Sequence, residues 1–370
     1  MSHNPILWKP NQEQIDKTQL ESFRKQVNMR FNIDIRNYND LHRWSVDNIE
    51  EFWKSIWGYL SPICSKEPST IIKDEDKMFQ PNWFEGCKMN FAENLLRFKS
   101  DKTALISINE KNEEVKISYN QLFDQVETLA SSMKKWGVSP GDRVCGIMPN
   151  CSEAVVAMLA TTAIGAVWSS CSPDFGARGI LNRFKQIKPK IIFACDSYLY
   201  SGKKFSLIDK LSKIINRLSS LEKVIITNGK NFPSLNIDTI SWESALDENP
   251  CKLEFQQLPF DHPIYIMYSS GTTGIPKSIV HGAGGTLLQH LKELRLHSDI
   301  SIDDNVFYYT TCGWMMWNWL ISSLAIGSTI ILFDGSPFYP NNDTLWALID
   351  KYKITHFGIS PKYLDSSKNF

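Results

Sequence analysis

The chain has 370 residues, 42% hydrophobic and 22% charged, and its 40 Lys+Arg balance its 40 Asp+Glu. That length suits two or more domains with a real core, and the neutral balance offers no electrostatic footprint for nucleic acid or an anionic membrane. The eight cysteines form no C-x-x-C pair, which points to free thiols in a reducing cytosol rather than a disulfide scaffold.

The opening MSHNPILWKP lacks the basic-then-apolar order of a secretory leader. Asp40 to Leu60 reads as a helical stretch in which Trp53, Ile56 and Trp57 fall on one face, a packing stripe. Trp83 to Leu96 reads as a linker docked on the main body. From about residue 100 the pattern alternates. Ser118 and Gln121 have capping-box spacing before a helix through Leu122, Val126, Leu129 and Met133 that closes at Gly137. DRVCGIM is a predicted strand, Ser152 opens a helix, AVWSSCS is a strand, ILNRFKQI a helix and KIIFAC a strand. LIDKLSKIINRLSSL and KVIIT repeat the helix–strand order, and Asn228 to Ile240 reads as a surface excursion. This order predicts an α/β fold of open, mostly parallel sheets with helices on both faces. Trp314 to Phe333 has no charged residue and is long enough to span a bilayer. It splits at Gly327, so it reads as a buried helix, a glycine stop and a buried strand rather than a membrane span.

The strand PIYIMY runs into YSSGTTGIPKS, Tyr268 to Ser278. Gly271, Lys277 and Ser278 fit the G-x-x-x-x-G-K-S/T spacing of the common nucleotide loop, but Pro276 stands at the second glycine. Proline has no N–H to offer a phosphate and fixes φ near −65°. The following SIVH reads as strand, so the motif is strand–loop–strand. Its chemistry still suits an anion. Ser269, Ser270, Thr272 and Thr273 supply hydroxyls, Gly271 and Gly274 bare the backbone N–H groups, and Lys277 adds a charge. A hydroxyl there can complete the shell of a Mg²⁺ held by phosphates. The alternative is a flexible hairpin tip.

With its proline, the string resembles the phosphate motif of the adenylate-forming acyl-CoA synthetases: two Ser/Thr, Gly, two Ser/Thr, Gly, any residue, Pro, Lys. The likeness continues through IVHGAGGTLLQHLKE, TTCGWMMWNWLISSLAIGSTIILFDGSP, VWSSCSPDFGARGILNRFKQIKPK and FAENLL, and is greatest to the branch that uses acetoacetate. The resemblance implies an acyl-CoA-synthetase-type region at 1–98 and an incomplete AMP-binding domain at 99–370. It implies a ligase that activates acetoacetate with ATP and Mg²⁺ and passes the acyl group to coenzyme A. By motif position, Thr272 and Lys277 would be catalytic. Ser269, Ser270, Gly271, Thr272, Thr273, Gly274 and Lys277 would hold the phosphates, with Thr272 toward the metal. Trp168, Ser169 and Lys203 would meet coenzyme A, and Trp314, Met315 and Met316 the acyl group. Met315 and Met316 stand where acetate-using relatives carry Val and Thr, and a thioether conforms to a small apolar chain.

No counterpart follows GISPKYLDSSKNF of the family's adenine loop, ribose-holding aspartate or small mobile carboxy-terminal domain with its lysine. The resemblance therefore implies a truncated, inactive chain. The alternatives are a non-catalytic nucleotide-binding fragment and a ligase for another short acid. His290, Glu293 and His297 share helical spacing with Leu287, Leu291 and Leu294, an amphipathic pattern that explains them without a metal. His281 reads as a wall of the site.

Overall fold

The computed structural model describes residues 6–77, 79, 81–227, 237–246, 250–269 and 274–368. Among these, seven strands form one sheet in the order Asp238–Ser241, Lys223–Ile226, Ile191–Ala194, Arg143–Ile147, Val167–Cys171, Pro263–Ser269, Lys277–Gly282. All neighbours are parallel except the last pair, which is antiparallel. Five described strands form a second sheet in the order His356–Gly358, Asn305–Tyr308, Thr329–Asp334, Thr103–Asn109, Glu114–Ser118, parallel but for its final hairpin.

Period-two alternation sorts the strand side chains into layers. Val144, Phe193 and Ile225 face a central core, while Cys145, Ile192 and Val224 face an outer cluster covered by helices Ala177–Ile187 and Ile208–Ile215. In the second sheet Leu105, Ile330 and Leu332 face the same central core, and Ile106, Phe307 and Ile331 face a third cluster under helix Thr344–Tyr352. Helix Ser152–Ala163 lies between the sheets and touches strands of both. Every residue of it but Glu153 is buried, as its run of small apolar side chains requires for a helix without a solvent face. The expected α/β architecture with helices on both sheet faces is what the chain adopts.

Local departures have physical causes. Asp40 to Leu60 is two helices, Tyr38–Asp47 and Ile49–Leu60, broken at Asn48, whose φ of −133° is not helical and whose side chain donates to the Trp44 carbonyl at 3.0 Å. Trp83 to Leu96 is no linker. It forms short strands Asn82–Glu85 and Lys88–Met89 and a buried helix Phe91–Leu95. The Asn90 amide donates to the Thr162 and Ala163 carbonyls at 3.1 and 3.0 Å, serving the free C-terminal end of the central helix. Ser152 opens its helix as expected, and Cys151 precedes it without a side-chain cap bond. The capping box of Ser118 and Gln121 is present, and that helix runs Tyr119–Lys135. The uncharged segment forms helix Met315–Ser322, a short 3₁₀ turn, a left-handed Gly327 and strand Thr329–Asp334. Among the described residues no helix is long and apolar enough to cross a membrane. The surface excursion falls largely on residues 228–236, outside the described residues; its end is the strand Asp238–Ser241.

Candidate functional site

Strands Pro263–Ser269 and Lys277–Gly282 pair antiparallel from Pro263 opposite Gly282 to Ser269 opposite Lys277. The loop between them therefore emerges at the carboxyl edge of the parallel strands, where open α/β sheets hold ligands. Ser270, Gly271, Thr272 and Thr273 lie outside the described residues. The arms of the loop are fixed by helix Ala177–Ile187. Gln186 donates to the Pro276 carbonyl at 3.0 Å and accepts from the Ser278 hydroxyl at 3.1 Å, and the Tyr268 hydroxyl donates to the Arg183 carbonyl at 3.0 Å. Pro276 is half-buried and Lys277 is exposed. Gly274 has φ +84°, and nothing lies within 4 Å of where a Cβ would be. Backbone conformation, not crowding, makes glycine the suitable residue there.

A cavity of about 340 Å³ opens at the same edge, between the carboxyl ends of the two sheets. Asn150 and Asp174 from the first sheet and Tyr309 and Asp334 from the second line it. The hairpin formed by Ser197–Tyr200 and Lys203–Ser206 closes it with Tyr198, Tyr200 and Phe205. Tyr198 and Phe205 stack at 5.2 Å. Burial pushes the Asp334 carboxyl up to about 7, with the neighbouring Glu110 adding to the shift and the Asn150 backbone N–H opposing it. Lys203 is exposed on this hairpin, opposite Tyr200.

Trp168 and Ser169 are buried, beside a small cavity that Met267, Gly313 and Asn318 also line. Trp168 is 1% exposed, and the Ser169 hydroxyl donates to the Ile266 carbonyl at 2.8 Å. Their neighbour Ser170 is half-buried and donates to the Cys312 carbonyl at 2.5 Å. The acyl candidates are divided as well. Trp314 is 59% exposed at the start of its helix. Met315 and Met316 share a cavity of about 370 Å³ with His297 and Trp319. Met315 also edges a cavity of about 940 Å³ between the segment Asn82–Lys88 and helix Ala283–Lys292.

His281 and His290 line that large cavity. Burial lowers both, His290 to about 4, so His290 is neutral at physiological pH. Its Nδ1 lies 2.8 Å from the Ser322 hydroxyl. His297 instead contacts Lys292, 3.2 Å away, on a π-helical turn from Glu293 to His297. Thus His290 and His297 take different partners.

Comparison with known proteins places this geometry. A family described as AMP-binding enzyme matches residues 91–367. The chain belongs to that AMP-binding enzyme family. A second match, described as acetyl-coenzyme A synthetase N-terminus, covers residues 38–95. The chain is 45% identical to an acetoacetyl-CoA synthetase of Danio rerio, over 97% of this chain and 55% of the relative. It is 39% identical to a malonamoyl-CoA synthetase of Penicillium aethiopicum, over 97% of this chain and 53% of that one. A solved acetoacetyl-CoA synthetase from Streptomyces lividans superposes with a TM-score of 0.94 at 38% identity, covering 99% of this chain and 57% of that one. The chain thus spans about half the length of the relatives it matches.

Asp334, Tyr309 and the rings of the hairpin line the 340 Å³ cavity but are not among the candidate site residues of the sequence. The carboxyl-edge rule, applied to the strand ending in FDGS as it was to PIYIMY, finds Asp334. Nothing local in YLYSGKKFS marks its rings as cavity walls.

Proposed function

We propose that this AMP-binding enzyme chain contributes the phosphate-gripping and thiol-facing parts of an acetoacetate–CoA ligase. In that reaction the carboxylate of acetoacetate attacks the α-phosphate of ATP, releasing pyrophosphate, and the thiol of coenzyme A then displaces AMP from the acyl-adenylate. The observation that carries the reading is the loop itself. YSSGTTGIPK joins two paired strands whose flanking residues Ser269 and Lys277 face each other at a carboxyl sheet edge, in a chain 45% identical to an acetoacetyl-CoA synthetase.

The first step joins two anions, so it needs positive charge and N–H or O–H donors aimed at the phosphates. Lys277 supplies the charge, Ser269 and the hydroxyls of Ser270, Thr272 and Thr273 the donors, and Gly271 and Gly274 the close backbone approach. Mg²⁺ would add Lewis-acid stabilisation, with Thr272 as the residue that would hold it. Coenzyme A would use the 340 Å³ cavity. Its aromatic walls suit a flat ring or a thin arm. Asp174 and Asp334 do not suit phosphate, which belongs outside at Lys203. Trp168 and Ser169 would act from beneath, as the packed floor of the strand. Met315 and Met316 would face the acyl chain, with Trp314 at the rim. The division at residue 98 and a cytosolic setting complete the reading; the free cysteines among the described residues support the latter.

A second reading, a ligase for another short acid, is favoured by the malonamoyl-CoA synthetase relative. A third is a nucleotide-binding chain without turnover. Titration calorimetry with MgATP separates these from no function at the loop. Binding that Lys277→Ala weakens at least tenfold supports the phosphate role, and equal binding by the variant refutes it. ATP–pyrophosphate exchange with acetoacetate, malonamate and acetate then tests the acid. Exchange greatest with acetoacetate supports the ligase reading, and exchange greatest with another acid replaces it with the second.

A further inference from the structure

Glu110 lies in the turn between strands Thr103–Asn109 and Glu114–Ser118, and it is only 5% exposed. A buried carboxylate needs donors, and Glu110 finds three backbone N–H groups on two distant loops. Its Oε1 accepts from Ser201 at 2.6 Å and from Ser336 at 2.5 Å, and its Oε2 accepts from Gly202 at 2.8 Å. Ser201 and Gly202 are the turn of the hairpin that walls the 340 Å³ cavity, immediately before Lys203. Ser336 follows the strand that ends at Asp334, on the opposite wall.

The backbone around these bonds is shaped to the carboxylate. Gly335 has φ +152°, and a Cβ there would sit 2.1 Å from Glu110 Cγ. Gly202 has φ +74°, and a Cβ there would sit 2.5 Å from the Tyr339 hydroxyl. The hairpin is a two-stranded sheet of its own, with no described strand pairing to either large sheet. Its turn is therefore docked by the carboxylate and by the fit of Gly202 against Tyr339. Ionised acceptors make stronger bonds to backbone N–H groups than neutral ones do.

We propose that Glu110 is a positioning residue for the thiol half of the reaction: its carboxylate pins the Ser201–Gly202 turn against the Ser336 loop, and so sets the width of the cavity and the place of Lys203. The inference rests on the reading that this cavity receives coenzyme A. Glu110 touches no substrate itself; it acts through the hairpin.

The test uses the whole chain and three variants, Glu110→Gln, Glu110→Asp and Gly202→Ala. Glutamine keeps the size but turns an N–H group toward a backbone donor. Gly202→Ala loosens the same turn without altering Glu110. Hydrogen–deuterium exchange follows residues 197–206 and 333–339, and titration calorimetry follows coenzyme A and, separately, MgATP. The expected result for Glu110→Gln and Gly202→Ala is at least tenfold faster exchange confined to those two segments. Coenzyme A affinity should fall at least tenfold, with MgATP affinity unchanged. Glu110→Asp, which keeps the charge, should recover part of the loss. Local loosening with unchanged coenzyme A affinity overturns the proposal. So does faster exchange spread over the whole chain with both affinities falling together, which would make Glu110 a stability residue only. If the wild-type chain binds no coenzyme A, the thiol reading fails and the proposal with it, whereas failure of the Glu110 variants alone leaves that reading intact.

Discussion

Asp334→Asn should stabilise the fold at neutral pH and leave it nearly unchanged in acid. Asp334 ends a central strand of the second sheet, half-buried in the wall of the 340 Å³ cavity and near Glu110. Burial, then the Glu110 charge, moves its carboxyl from the ordinary 3.8 to about 7. The folded state therefore holds this proton more tightly than the unfolded chain does. The stability it contributes is full below pH 3.8 and is lost as pH rises through about 7. At about 1.36 kcal/mol per pH unit, the ceiling is roughly 4 kcal/mol. Water reaching part of the carboxyl lowers that, and a loss of about 2 kcal/mol is the working value. Asparagine keeps the shape and does not titrate. Urea unfolding of both proteins at intervals from pH 4 to 8 reads this group together with its coupling to Glu110, because titrations that do not interact with Asp334 cancel in the difference. The variant's advantage should grow by about 2 kcal/mol across that range. A difference that stays flat, or shrinks, refutes the account of a proton held by burial.

Three further outcomes follow from packing and capping. Gly284→Ala would place a Cβ 2.1 Å from the Phe260 ring, which is itself stacked on Phe84 at 4.6 Å. The overpacking cost of about 1–3 kcal/mol should exceed the helix-propensity gain of about 1 kcal/mol, giving a net loss by urea unfolding. Ser118→Ala removes the hydroxyl that accepts from the Gln121 N–H at 3.2 Å, and should cost about 1 kcal/mol by the same assay. Tyr119→Phe removes the hydroxyl that donates to the Ser328 carbonyl at 2.7 Å in the core, and a loss of about 1–3 kcal/mol is expected. A thermal or urea midpoint equal to wild type would refute the corresponding structural account in each case.

The readable features of the sequence were those whose cause is local. A run of small apolar residues from Ser152 to Ala163 specifies a helix buried on all sides wherever it lies. The capping box of Ser118 and Gln121 involves residues three apart. The strand–loop–strand form around Pro276 is legible because SIVH has a β-branched pattern, and the strand Lys277–Gly282 is there. Readings failed where distant contacts decide. Trp83 to Leu96 looks like a linker until Asn90 is seen serving the end of the central helix more than seventy residues on.

The cavity at the carboxyl edge shows the same limit for the candidate site. Its walls come from strand ends far apart in the chain, and Glu110 is the sharpest instance. In NEKNEE it stands beside Glu113 and Glu114, both exposed, and nothing in composition or spacing separates the three. What separates them is that two loops, 91 and 226 residues away in sequence, bring unpaired N–H groups to one carboxylate and not to the others. A buried charge without such donors would be costly enough to force protonation or rearrangement. The position of this glutamate and the shape of the two loops are therefore one structural fact. That is why a change at Glu110 should be felt at the hairpin beside Lys203 rather than in the sheet that carries it.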